Sequence, residues 1–118
     1  MGWKEDVDRE IRWAQEAQAT GNHGKARTCA RRAIGIAAAE LQRRQTAYVL
    51  GNDFIGQIRA IAVDERFSED VRGAAANLGA RISQDFTSPS LDPVQDAAVI
   101  LADLIGRIDD DQARSSER

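Results

Sequence analysis

At 118 residues, with 42% hydrophobic and 30% charged side chains, the chain has the size and balance of one globular domain, not of a disordered segment. A chain this long buries roughly two-thirds of the surface it exposes when unfolded, enough for a single core without staples. The net charge of −3 excludes a global electrostatic pull toward nucleic acid or anionic membrane.

The apolar period is helical from the first residues onward. Trp3, Val7, Ile11, Ala14 and Ala17 recur every three or four positions and predict a first helix over about residues 3–19. Gly21-Asn22-His23-Gly24 breaks it. A second helix, from about 25 into the 40s, lines Ala26, Ala30, Ala33, Ala37 and Leu41 along one side. Its other side carries Arg27, Thr28, Arg31 and Arg32. Gly51-Asn52-Asp53 punctuates again, and Phe54, Ile58, Ile61 and Ala62 predict a third helix over about 53–65.

Ser68 followed by Glu69 and Asp70 reads as an N-cap with acids in the first turn, where they suit the helix dipole. The fourth helix, about 69–85, would bury Val71, Ala75, Leu78, Ile82 and Phe86. TSPSLDP is the clearest loop, and Asp92-Pro93 with Gln95 behind it is a strong helix start. The fifth helix presents Val94, Ala97, Leu101, Leu104 or Ile105, and Ile108. DDDQARSSER has no apolar period, so residues 110–118 are expected as a flexible tail behind a single domain of residues 1–109. No alternating strand pattern occurs, and the short connections predict an all-α antiparallel bundle of four or five helices.

Chemistry-bearing residues are sparse. Cys29 is alone, which excludes an intramolecular disulfide, and its place beside the alanine face suits a buried structural thiol. His23 is the one histidine and sits in the Gly/Asn turn, with no ligand set for zinc or iron. Glu40 and Arg44 are four apart and predict a structural ion pair. Lys25, Arg27, Arg31 and Arg32 form a basic face, solvated or offered to phosphate or RNA; no aromatic residue is interleaved with it in the sequence. Phosphate-loop, HExxH and nucleophile-elbow motifs are absent, so the expectation is a protein without a catalytic constellation, metal or cofactor. No apolar run approaches the ~18 residues of a membrane span. Trp3-Lys4-Glu5-Asp6 is unlike a signal peptide, which makes a cytoplasmic location the expectation.

Two segments carry a family resemblance. WAQEAQATGNHGKARTCARRAIGIAAAEL resembles the first helical hairpin of HEPN domains, in which a short glycine-bearing turn leads into an alanine-rich helix. AANLGARISQDFTSPSLDPVQDAAVILADLIGRI resembles the closing part of that family, an Arg-containing connection before a last helix with an Ala/Ile/Leu stripe. The resemblance implies a helical bundle, commonly a homodimer, of the toxin–antitoxin or defence type, and a nucleotidyltransferase-type partner protein. Active HEPN members are metal-independent ribonucleases with an Arg followed four to six residues later by His. Arg81 matches that arginine in position, but Ile82-Ser83-Gln84-Asp85-Phe86-Thr87-Ser88 contains no histidine. Gly35 also stands near where many relatives carry Glu. The resemblance therefore carries over the fold and the pairing, with Arg81 kept as a phosphate- or RNA-binding candidate.

Two alternatives stand beside this non-enzymatic binding module. One is an RNA-binding protein or divergent ribonuclease, with Arg81 and Asp85 as its candidate residues. The other is a tetratricopeptide-like adaptor, suggested by the spacing of Gly21, Ala26 and Ala33.

Overall fold

The computed structural model describes residues 2–80 and 92–116, and within them the chain is all-helical. In chain order the helices are α1 (Trp3–Ala19), α2 (His23–Arg44), α3 (Phe54–Ala62), α4 (Glu69–Gly79) and α5 (Pro93–Ser116). They form one bundle with α2 at its centre, packed against α1, α3 and α5 at once.

The α1–α2 hairpin shows how the turn residues act. The N–H of Asn22 donates to Ala17 O at 2.8 Å and that of Gly21 to Gln18 O at 3.2 Å, the paired bonds that close a helix C-terminus. They require a left-handed residue between the two helices, and Gly21 supplies it at φ +80. Asn22 then opens α2 by accepting from the Lys25 N–H at 3.1 Å. One tight turn thus ends one helix and starts the next. It begins α2 at His23, two residues earlier than the alanine period alone predicts.

Ala26, Ala30, Ala33, Ala37 and Leu41 are all buried, as the stripe requires. Ile34, Gly35 and Ala38 are buried as well, because α3 and α5 cover the side of α2 that α1 leaves open. Helix α5 runs antiparallel to α1. Lys4 Nζ meets Asp109 at 3.0 Å at one end, and Gln18 Nε2 meets Asp92 at 3.1 Å at the other.

The expected caps form: Ser68 Oγ accepts from the Val71 N–H at 3.3 Å, and Asp92 Oδ1 from the Gln95 N–H at 3.0 Å. Two boundaries differ from the sequence reading. Helix α4 ends at Gly79, not near 85, and Ile82, Phe86 and most of the TSPSLDP loop lie outside the described residues. Helix α5 continues to Ser116, through most of the segment expected as a flexible tail. An apolar period is not needed there, because a helix already nucleated and anchored by Leu104 and Ile108 propagates at little further cost.

The α2–α3 loop is pinned by Gln42. Its Oε1 accepts from the Leu50 and Gly51 N–H groups at 2.7 and 3.1 Å, and its Nε2 donates to Gly51 O at 3.1 Å. Leu50 is thereby held in the core.

Candidate functional site

Besides a concavity of about 420 Å³ on α1, lined by Glu5, Asp8, Ile11 and Arg12, two concavities with polar side chains lie between helices among the described residues. The larger, about 480 Å³, lies between the end of α2 and α5 and is lined by Gln45, Tyr48, Asp103, Arg107 and Asp110 among others. Its cations are already satisfied. Arg107 pairs with Asp103, donates to Tyr48 OH at 2.6 Å and to Arg66 O at 2.8 Å, and lies 4.4 Å over the Phe67 ring. Arg66 pairs with Asp64, donates to Ala47 O at 3.0 Å and covers Tyr48 at 4.2 Å. This network staples the α2–α3 and α3–α4 connections to α5, and its two arginines each have an acidic partner.

The smaller concavity is different. A cavity of about 340 Å³ is lined by Thr28, Arg31 and Arg32 of α2 and by Phe54 and Ile55 of α3. Arg31 is half-buried, and its guanidinium is held below the usual arginine value by that burial, then by the positive charges of Arg27 and Arg59. Arg32 and Lys25 lie toward the Cys29 side of the same helix. Among the described residues none of Lys25, Arg27, Arg31, Arg32 or Arg59 has an acidic partner.

What partly balances them is backbone. Arg31 Nε donates to Leu78 O at 2.7 Å and its Nη2 to Ala80 O at 3.3 Å, while Arg59 Nε donates to Gly79 O at 3.1 Å. Two arginines from two helices thus cap three successive carbonyls at the end of α4, groups that no turn of helix can satisfy. Gly79 lets α3 come this close, since a Cβ there would sit 3.2 Å from Arg59 Cγ. A helix C-terminus offers about half a negative charge. The two guanidiniums of Arg31 and Arg59 face it and Arg27 adds its charge beside Arg31, so a positive surplus remains.

Phe54 completes the site. Expected on the apolar stripe of α3, it is instead 42% exposed, resting against Gly35 of α2. A Cβ at position 35 would lie 1.9, 2.4 and 2.8 Å from three of its ring carbons. The aromatic side chain absent from the arginine face in sequence is therefore delivered to it by the fold. Arg59 was likewise not visible as a member of the site, because on its own helix it is simply a polar position. The sequence signal that could have found Phe54 is Gly35, a glycine kept in mid-helix at a cost of about 1 kcal/mol relative to alanine.

The other candidates are placed as follows. Lys25 is exposed in the first turn of α2, and His23 is exposed as its first residue. Cys29 is buried, its thiol pushed up by burial and by the Glu10 carboxylate, which suits a structural thiol. Arg81 and Asp85 lie outside the described residues. Among the described residues no group of three His, Cys, Asp or Glu side chains could hold a metal, and no helix is long and apolar enough to cross a membrane. No known protein family, curated protein or solved structure matches the chain.

Glu40 and Arg44 do pair, at 2.7 Å, and Arg43 joins from the other side. Hydrogen bonds from Arg43 and Arg44 hold the Glu40 carboxyl below its ordinary 4.5, against the opposing effect of burial. Arg66 does the same for Asp64, whose ordinary value is 3.8. Both carboxyls bind protons more weakly folded than unfolded, so their stabilisation is complete above the ordinary values and lost as pH falls through the folded ones. The melting temperature should hold level from neutrality to about pH 5 and fall below about pH 4, and Glu40→Gln should soften that fall. Melts across that range check it; a Glu40→Gln profile matching wild type would show the pair to be idle.

Proposed function

We propose that the chain is a non-enzymatic, HEPN-like binding module whose α2–α3 surface takes the phosphates of RNA. The observation that carries this reading is the set of Arg27, Arg31, Arg32 and Arg59, gathered from two helices with no acidic partner among the described residues. Arginines held together without counter-charge repel one another, and a phosphate-bearing ligand relieves that repulsion while matching the planar guanidinium fork. The whole chain carries −3, so attraction to phosphate arises from the local gathering of these arginines and not from net charge. The HEPN-like reading also implies that the module pairs, as a homodimer or beside a nucleotidyltransferase-type partner.

Binding of a labelled single-stranded RNA, followed by fluorescence anisotropy over a range of salt, tests the proposal. Contact with three or four phosphates gives a slope of about −2 to −3 in log affinity against log salt. RNA should also raise the melting temperature, since it binds only the folded arrangement. Absence of binding at low salt, or binding indifferent to salt, would overturn the reading.

A further inference from the structure

Among the described residues, the aromatic rings other than Phe54 each have a cation over them. Lys4 lies over Trp3, Arg9 over Trp13, Arg66 and Arg107 over Tyr48, and Arg107 over Phe67. Phe54 is 42% exposed and shares a cavity with two arginines, yet neither covers it. Arg31 is turned away to the α4 carbonyls, with its Nε 2.7 Å from Leu78 O. The ring is backed by the Gly35 backbone, and any side chain at 35 would push it aside. A planar apolar surface is thus held in place, open on one side and flanked by positive charge.

We propose that Phe54 is a stacking platform for one unpaired base of a single-stranded RNA, with Arg32 beside a phosphate next to that base. This rests on the RNA-binding reading above and deepens it by naming the form of the ligand. A cavity of about 340 Å³ is at the small end of ligand sites, suited to one heterocycle. Bases in a duplex are already stacked on their neighbours and cannot present a face to the ring. Every base has such a face, so the platform selects strand form without selecting sequence. Gly35 acts as a positioning residue, since its missing side chain sets where the ring lies.

The test compares a short labelled oligouridine with a strand of the same length and phosphate count in which every base has been removed. Wild-type protein should bind the intact strand roughly 10-fold or more tightly than the abasic one. Phe54→Ala and Phe54→Leu should abolish that ratio while leaving abasic binding and its salt slope unchanged. Gly35→Ala should shrink the ratio, because the displaced ring no longer meets the base. Equal wild-type affinity for the two strands, or a ratio that survives Phe54→Leu, would overturn the platform while the arginine surface stood. Failure of both strands to bind would instead overturn the RNA-binding reading itself, and the platform with it.

Discussion

Phe67→Ala should destabilise the fold by about 3–5 kcal/mol, the range for truncating a fully buried phenylalanine. The residue sits in the short connection between α3 and α4, where sequence alone gives no reason to place a core side chain, yet it is 1% exposed. Its N–H is tied to Asp64 O at 3.1 Å, its ring lies 6.2 Å from that of Tyr48, and Arg107 caps it at 4.4 Å. Truncation would open a cavity and also leave the Arg107 guanidinium without the ring it lies over, loosening the bonds that Arg107 makes to Tyr48 and Arg66. A domain of this size is stable by only about 5–15 kcal/mol, so the loss is a large share of the whole. The melting temperature should fall by roughly 10–20 °C. Phe54→Ala, the same chemical change at a half-exposed ring, should cost well under half as much. Urea unfolding with an unchanged slope would measure both, and equal costs for the two would show that Phe67 is not the core anchor described.

Joint replacement of Arg27 and Arg32 by Glu should weaken RNA binding by on the order of 100-fold or more, from the loss of two charged contacts and the repulsion added. These two make no hydrogen bond within the described structure, so their charge is free for a ligand. Their removal should leave the melting temperature unchanged or slightly higher, because like charges near Arg31 have been relieved. Arg31→Ala and Arg59→Ala should behave differently. Each uncovers carbonyls at the end of α4 and should lower stability by about 1–3 kcal/mol alongside any loss of binding. Anisotropy and thermal melts on the three variants separate the roles. Undiminished affinity in the double Glu variant would place the RNA elsewhere.

Much of the architecture was readable because it depends on short-range pattern. The α1 boundaries, the Ser68 and Asp92 caps and the alanine stripe follow from spacing, dipole and side-chain size within a few residues of one another. Pattern failed where the cause lies across the fold. The sequence presents Arg31 as a surface cation, and only the arrival of the α4 C-terminus turns it into a cap. Phe54 reads as one more apolar residue on a helix stripe. Whether such a residue ends inside or on the rim depends on what the neighbouring helix offers, and here it offers a glycine.

Local pattern was enough for the five helices and their order, the buried face of α2 and the surplus of arginine on its other face. Periodicity and capping are local consequences of hydrogen-bond geometry and need no partner to be expressed. Packing between helices settled which arginines have no acidic partner among the described residues and which ring stands among them. Arg31 meets Arg59, and Phe54 meets Gly35, only when α3 crosses α2 at small-residue contact distance, and no spacing along the chain encodes that crossing.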